Sequence, residues 1–156
     1  MSHPDYFIVI VPGYMGSKLR DKRSGEIVWL DIPALLRDPF HIEDNLKRLF
    51  ESMRYPNDNL EPAGIVEDVI FVPPLFKSQQ YGRLLDALQL DGCSQPDRPE
   101  TGKIPLYTFS YDWRQDNRIS ARQLAAKVHD WRRLHDGAKA WLIGHSNGGI
   151  VSRWYI

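Results

Sequence analysis

Residues 141–149 are the most constraining stretch of the sequence, because a short apolar run ends there in a serine framed by glycines. The stretch reads Trp-Leu-Ile-Gly-His-Ser-Asn-Gly-Gly. Gly144 and Gly148 lie two residues before and two residues after Ser146, where a sharp turn leaves almost no room for side chains. The pattern predicts a strand, a tight turn at Ser146 and the start of a helix, with the serine hydroxyl raised above the end of a sheet.

This predicted turn also indicates a chemistry. The first N–H groups of a helix stabilise negative charge, so an oxyanion could be bound beside the serine hydroxyl. Ser146 is therefore expected to be the nucleophile of an acyl-transfer reaction. A five-residue pattern of this kind also arises by chance. The strand-length apolar run before the turn and the apolar residues after it favour the catalytic interpretation.

The composition excludes several classes of protein. The chain has 156 residues, 42% of them hydrophobic, and a formal net charge of zero, so no excess of positive charge favours nucleic acid as a partner. No apolar run approaches the roughly 20 residues that span a bilayer, and no basic segment of a secretory leader is present at the start. A single cysteine, Cys93, excludes an internal disulfide and fits a reducing compartment, so a cytoplasmic location is expected.

Apolar periodicity predicts strands that alternate with helices. Buried runs with β-branched residues indicate strands, and apolar residues at a helical spacing indicate amphipathic helices. Predicted strands or extended segments cover 6–11, 28–30, 66–72, 106–111 and 139–143, and predicted helices cover 42–53, 81–91 and 120–137. Ser120 and Gln123 would form the capping box of the last helix, and 93–103 would form a surface loop. The alternation predicts an α/β domain around a mostly parallel sheet.

The ends of two predicted strands favour an oxyanion site. Val11 leads into Pro-Gly and then Tyr14, and the strand ending at Ile143 leads into the turn at Ser146. Ligands of parallel α/β sheets bind beyond the carboxyl ends of the strands. If the two strands are neighbours, the backbone N–H groups of Tyr14 and Asn147 can converge on one oxygen.

Taken together, these stretches resemble the lecithin–cholesterol acyltransferase family of α/β-hydrolases. The resemblance rests on residues 8–19, 28–31, 109–114 and 142–151, in the family's order, with Tyr-Asp-Trp-Arg at 111–114 the most specific. It implies a three-layer sandwich with a mostly parallel sheet and no cofactor or metal. It also implies that Tyr14 and Asn147 supply the oxyanion amides for a Ser146 acyl-enzyme, and that acyl esters, lipids among them, are hydrolysed or used in acyl transfer.

The chain departs from this family in two ways. Asn147 stands where relatives often have Leu or Met, which should change the pocket and keep the backbone amide. The family's catalytic Asp and His follow the serine, whereas this sequence ends ten residues after Ser146. We therefore expect residues 1–156 to be the N-terminal portion of one α/β-hydrolase domain, with a sheet incomplete at the C-terminus. The alternative is an inactive truncated fragment, since the five histidines present are expected to be solvated or structural.

Two further groups of residues are assigned structural roles. Asp112 and Arg114 are expected to form an ion pair that holds the loop after the predicted strand at 106–111, because a guanidinium and a carboxylate match in geometry. Trp131, Trp141 and Trp154 are expected to pack in the core.

Overall fold

A computed structural model describes residues 5–29, 47, 59–71, 76–79, 81–96 and 103–156. The strands are β1 (Tyr6–Val11), β2 (Ser17–Asp21), β3 (Ile27–Trp29), β4 (Leu60–Ile65), β5 (Asp68–Phe71), β6 (Phe76–Gln79), β7 (Cys93–Ser94), β8 (Ile104–Thr108) and β9 (Lys139–Gly144). The helices that we number are α1 (Gly82–Leu90), α2 (Asn117–Leu134) and α3 (Asn147–Tyr155). The helix predicted at 42–53 lies outside the described residues, except for position 47.

A parallel sheet in the order β7-β8-β1-β9 forms the centre of the described structure. The strand β1 has a parallel neighbour on each side, with Val9 opposite both Tyr107 and Leu142. Residues 7–11 of β1 are all buried, which explains why this segment is a continuous apolar run without alternating polar residues. The predicted α/β fold with a parallel sheet is confirmed.

Helices cover both faces of this sheet. Successive side chains of a strand point to opposite faces, so β1 contributes to two separate core clusters. Val9 lies in one cluster with Leu124 of α2 and Val151 of α3. Ile10 lies in the other cluster with Leu85 of α1. This arrangement leaves the carboxyl ends of β1 and β9 side by side, and the loops that follow them are the ones in which the sequence predicted a site.

Two smaller antiparallel sheets accompany the central one. The first has the order β3-β2-β4, and the second pairs β5 with β6. The strand β3 overlaps the predicted extended segment at 28–30 and β5 lies within the one at 66–72, whereas β2, β4 and β6 were not predicted. In β2 the buried residues are Ser17 and Leu19, and its other positions are charged. The alternation of buried and more exposed residues in β2 is too short and too polar to identify a strand from the sequence without its partner strands.

The helix α2 begins earlier and ends earlier than the sequence suggested. Its N-cap is Asp116, whose carboxylate accepts the backbone N–H of Arg118 at 2.8 Å. Ser120, predicted as the cap, instead lies buried within the helix. The predicted start is therefore wrong, because an Asp before the first turn caps a helix as well as a serine does. The helix ends at Leu134, three residues before the predicted end.

The strand β8 also differs from its prediction. It ends at Thr108, three residues before the predicted end, although the backbone N–H of Phe109 still donates to the Ile10 carbonyl at 2.9 Å. The backbone N–H of Tyr111 donates to Oγ of Ser17 at 3.0 Å, which ties this segment to β2. The predicted loop at 93–103 begins with a short strand, β7, which pairs with β8.

Two of the three tryptophans assigned to the core are exposed. Trp131 packs against the core, but Trp141 is 56% exposed and Trp154 is 61% exposed. Trp141 belongs to β9, which has no further neighbour among the described strands, and its ring stacks on Tyr6 with 4.4 Å between centroids. The prediction failed for these two because an apolar run indicates burial only where another element covers it.

Candidate functional site

Ser146 lies at the turn between β9 and α3. Its backbone has φ 52° and ψ −122°, a combination that residues with a side chain rarely adopt. Residues with strained backbone of this kind are found most often at functional sites. Ser146 occupies the N-cap position of α3, yet its side chain makes no capping hydrogen bond. The residue is exposed, so the hydroxyl is open to a ligand at the end of the sheet.

The glycines around Ser146 are required by close backbone contacts. A β-carbon on Gly144 would lie 2.7 Å from the α-carbon of Gly149. A β-carbon on Gly148 would lie 2.1 Å from the carbonyl oxygen of Val11, well inside van der Waals contact. The side-chain-free positions predicted from the sequence are therefore those where the turn folds against the next helix and against β1.

The loop after β1 lies directly against this turn. A β-carbon on Gly13 would be 3.1 Å from Cβ of Ser146, and the backbone N–H of His145 donates to the Val11 carbonyl at 3.0 Å. Tyr14 follows Gly13, is 58% exposed, and packs edge-on against Trp113. The structure thus brings the loop carrying Tyr14 to the turn carrying Ser146.

The side chain of Asn147 holds the start of α3 in place. Asn147 and Asn117 exchange two amide hydrogen bonds, of 2.9 Å and 3.0 Å. Nδ2 of Asn147 also donates to the Tyr111 hydroxyl at 3.1 Å, and that hydroxyl donates to the Pro12 carbonyl at 2.9 Å. Burial raises the pKa of Tyr111 to about 12, against the lowering effect of Asn147, so the phenol keeps its proton.

A second tyrosine contacts the same region from α1. The hydroxyl of Tyr81, the N-cap residue of α1, accepts the backbone N–H of Gly13 at 2.8 Å. It also lies 2.8 Å from Nδ1 of His145. Burial raises the pKa of Tyr81, so this phenol too is neutral at ordinary pH. The ring nitrogen of His145 that faces Tyr81 is therefore already engaged.

The predicted Asp112–Arg114 ion pair is present and buried. Arg114 donates to the two carboxylate oxygens of Asp112 from Nε at 2.8 Å and from a terminal nitrogen at 2.7 Å. Burial, the largest single influence, raises the pKa of Asp112, but hydrogen bonds and charge from Arg114, with a hydrogen bond from Gln115, outweigh it and hold the pKa below its usual value. The pair shapes the loop between β8 and α2.

None of the other described histidines is brought to Ser146. Nε2 of His135 lies 2.7 Å from the Tyr107 hydroxyl, at the end of α2, and His129 is an exposed residue beside Asp130 on the same helix. His3 and His41 lie outside the described residues. Cys93 is buried, and burial raises the pKa of its thiol.

An open cleft of about 480 Å³ adjoins the serine. It is lined by Ser146, Gly149, Ile150, Arg153 and Trp154, so one side of α3 forms most of its wall. A larger cavity, of about 640 Å³, lies at the opposite end of β1 and β9, away from the turn. Of these two, the smaller one includes Ser146 in its lining.

The described part of the chain contains neither a candidate metal site nor a candidate membrane span. No three histidine, cysteine or acidic side chains gather there as a metal site would require. No helix within those residues has the length and apolar character needed to cross a bilayer.

Sequence reasoning missed Tyr81, Tyr111 and Asn117 as parts of this site. Tyr81 was assigned to the apolar face of a helix, and Tyr111 to a strand. Their hydroxyls contact residues 36 to 99 positions away in the chain, and no local pattern encodes such contacts. A tyrosine at a predicted core position is the general signal for such a contact, since a buried hydroxyl nearly always has a hydrogen-bond partner.

Comparison with known proteins yields one informative similarity. No protein-family model and no solved structure matches the chain. A Saccharomyces cerevisiae protein, "Uncharacterized protein YJR098C", is 28% identical to it over 151 residues. The alignment covers 93% of the chain but 20% of the yeast protein. The chain thus spans about a fifth of the length of this relative and is similar to one portion of it.

Proposed function

We propose that the chain is the nucleophile-bearing part of an α/β-hydrolase-type serine enzyme that hydrolyses acyl esters or transfers their acyl groups, with lipid esters among the substrates. The observation that carries the proposal is the backbone of Ser146, with φ 52° and ψ −122° between β9 and α3. Strain of this kind persists only where the surroundings impose it. A serine presented on such a turn, at the start of a helix, suits nucleophilic attack.

The proposed reaction has two steps. Oγ of Ser146 attacks the ester carbonyl carbon while a base takes the hydroxyl proton, and the carbonyl oxygen becomes an oxyanion. The oxyanion collapses, the alcohol leaves with that proton, and an acyl-serine remains. Water or a second alcohol then attacks the acyl-serine, which releases the acid or a new ester and restores the hydroxyl.

Backbone N–H groups would stabilise the oxyanion. Within the described residues, the N–H groups of Tyr14 and Asn147 donate no hydrogen bond to the protein. Asn147 is the first residue of α3, where an N–H has no acceptor inside the helix. These are the two donors that the sequence assigned, and the contact of Gly13 with Ser146 supports a shared oxyanion site.

The proposal takes the base from outside the described residues, because none of them forms a hydrogen bond to the Ser146 hydroxyl. Nδ1 of His145 contacts Tyr81, and the described histidines of α2 and its C-cap lie elsewhere. This observation favours a second candidate, a polypeptide that is inactive unless another segment or chain supplies the base. Without its base, a serine enzyme retains only about 10³–10⁴-fold acceleration over water.

Ester turnover by the Ser146→Ala variant tests the proposal. The full polypeptide is assayed for release of p-nitrophenolate from a short p-nitrophenyl ester. Ser152→Ala, in the helix that follows Ser146, is the matched control, because its hydroxyl donates to the Gly148 carbonyl within that helix. We expect turnover by the parent and by the control, and none by Ser146→Ala. Undiminished turnover by Ser146→Ala rejects Ser146 as the nucleophile, whereas an inactive parent supports the second candidate.

A further inference from the structure

Two tyrosine hydroxyls, those of Tyr81 and Tyr111, each join the loop after β1 to the turn that holds Ser146. Tyr81 contacts the residue before the serine, and Tyr111 contacts the residue after it. Their partners in the loop after β1 are the consecutive residues Pro12 and Gly13. Four hydrogen bonds therefore connect the same two segments, two from each tyrosine.

The joined segments are those that carry the proposed oxyanion donors. Tyr14 follows Gly13 directly, and the N–H of Asn147 belongs to the residue whose side chain reaches Tyr111. Two donors can share one oxyanion only if each lies about 2.7–3.1 Å from it. The separation of the two segments therefore decides whether the site works, and a misplacement of about 1 Å can cost about 100-fold in rate.

Both tyrosines are themselves firmly held. Tyr81 is 4% exposed and is the N-cap residue of α1, while Tyr111 is fully buried and stacks on Phe109 with 5.9 Å between ring centroids. They come from different faces of the central sheet, because Tyr81 belongs to the core cluster of α1 and Tyr111 to that of α2 and α3. Each neutral hydroxyl can donate one hydrogen bond and accept others, so one atom serves both segments.

We propose that Tyr81 and Tyr111 are positioning residues that fix the separation between the Tyr14 and Asn147 amides; we name this pair the two-tyrosine clamp. The inference rests on the proposed function, since it assigns the clamp to an oxyanion site. Neither hydroxyl touches the reacting atoms. They act by setting where the two backbone N–H groups lie relative to those atoms.

Kinetics of Tyr81→Phe, Tyr111→Phe and the double variant test the catalytic part of the inference. Tyr107→Phe is the matched control, because its hydroxyl also bonds to a histidine but lies at the other end of the sheet. We expect kcat to fall roughly 10-fold to 100-fold in each clamp variant, with KM nearly unchanged. Inhibition by a trifluoromethyl ketone, which forms an oxyanion on the serine, should weaken in parallel. The fold-decrease in kcat of the double variant should exceed the product of the two single fold-decreases, because either hydroxyl alone still joins the segments.

Hydrogen–deuterium exchange tests the clamp without relying on activity. We expect either single variant to raise exchange in both segments, residues 12–16 and 144–149, and Tyr107→Phe to raise it in neither. Exchange that rises in one segment alone, or a kcat equal to that of Tyr107→Phe, overturns the inference. Coupled exchange without any turnover that depends on Ser146 would sustain the clamp and reject the proposed function. Turnover that depends on Ser146, without coupled exchange in the two segments, would reject the clamp and leave the proposed function standing.

Discussion

Gly148 lies so close to Val11 that a β-carbon at position 148 would be 2.1 Å from the Val11 carbonyl oxygen. The same β-carbon would be 2.5 Å from the carbonyl oxygen of Pro12. Both obstacles are backbone atoms of the central strand and its loop, which cannot rotate away as a flexible side chain could. The first turn of α3 therefore rests on the end of β1, and this contact sets the height of Ser146 above the sheet.

Substitution of this glycine should destabilise the fold strongly. Gly148→Ala forces the helix away from β1, and we expect a loss of about 3 kcal/mol or more in the free energy of unfolding, at the upper end of overpacking effects. Gly149→Ala is the control, because its β-carbon meets nothing nearer than 3.6 Å. Since alanine favours a helix over glycine by about 1 kcal/mol, that variant should be neutral or stabilising. Urea unfolding measures both, and equal losses would contradict the contact described.

The buried ion pair gives a prediction that depends on pH. Asp112→Asn leaves the Arg114 guanidinium without its carboxylate in a site where the Arg114 side chain is 2% exposed. We expect a loss of about 3 kcal/mol at neutral pH, as for other broken buried pairs. Glu61→Gln, which breaks the exposed pair with Arg20, should cost about 1 kcal/mol or less.

The sign of the pH dependence follows from the lowered pKa of Asp112. A carboxyl group with a lower pKa in the folded state stabilises the protein above its unfolded pKa, and this contribution is lost as the pH falls through the folded pKa. The difference in the free energy of unfolding between the parent and Asp112→Asn should therefore be largest at pH 7 and shrink below about pH 4. Chemical unfolding at several pH values measures it. A difference that grows on acidification would mean that the folded pKa is raised.

The parts of the fold that the sequence predicted are those encoded by local patterns. The buried run of β1 was located with its observed bounds, and the turn at Ser146 was identified from the spacing of Gly144 and Gly148. Both depend on residues within a few positions of one another. The helix α1 was likewise found from its apolar spacing.

The parts that were missed depend on distant partners. The strand β2 carries charged residues and is a strand because β3 and β4 pair with it on either side. The roles of Tyr81 and Tyr111 arise from hydroxyl contacts across the whole chain. The exposure of Trp141 follows from the strand order, since β9 lies at one end of the described sheet. Sequence periodicity indicates which side chains are apolar, and the pairing of elements decides which of them are covered.

The exposed apolar edge at β9 gives the last prediction. Trp141 and Ile143 lie on one face of this strand and are 56% and 36% exposed, and the strand has backbone hydrogen-bonding groups on the side away from β1. An open apolar edge promotes pairing between molecules, and a charged residue on it opposes that pairing. We expect the 156-residue polypeptide to associate as its concentration rises, and Ile143→Lys to reduce the association. Leu134→Lys removes a leucine that is 67% exposed at the end of α2, so it controls for a general loss of surface apolarity. Light scattering over a concentration series measures the association of both variants. An equal reduction by both would mean that the molecules do not associate through the β9 edge.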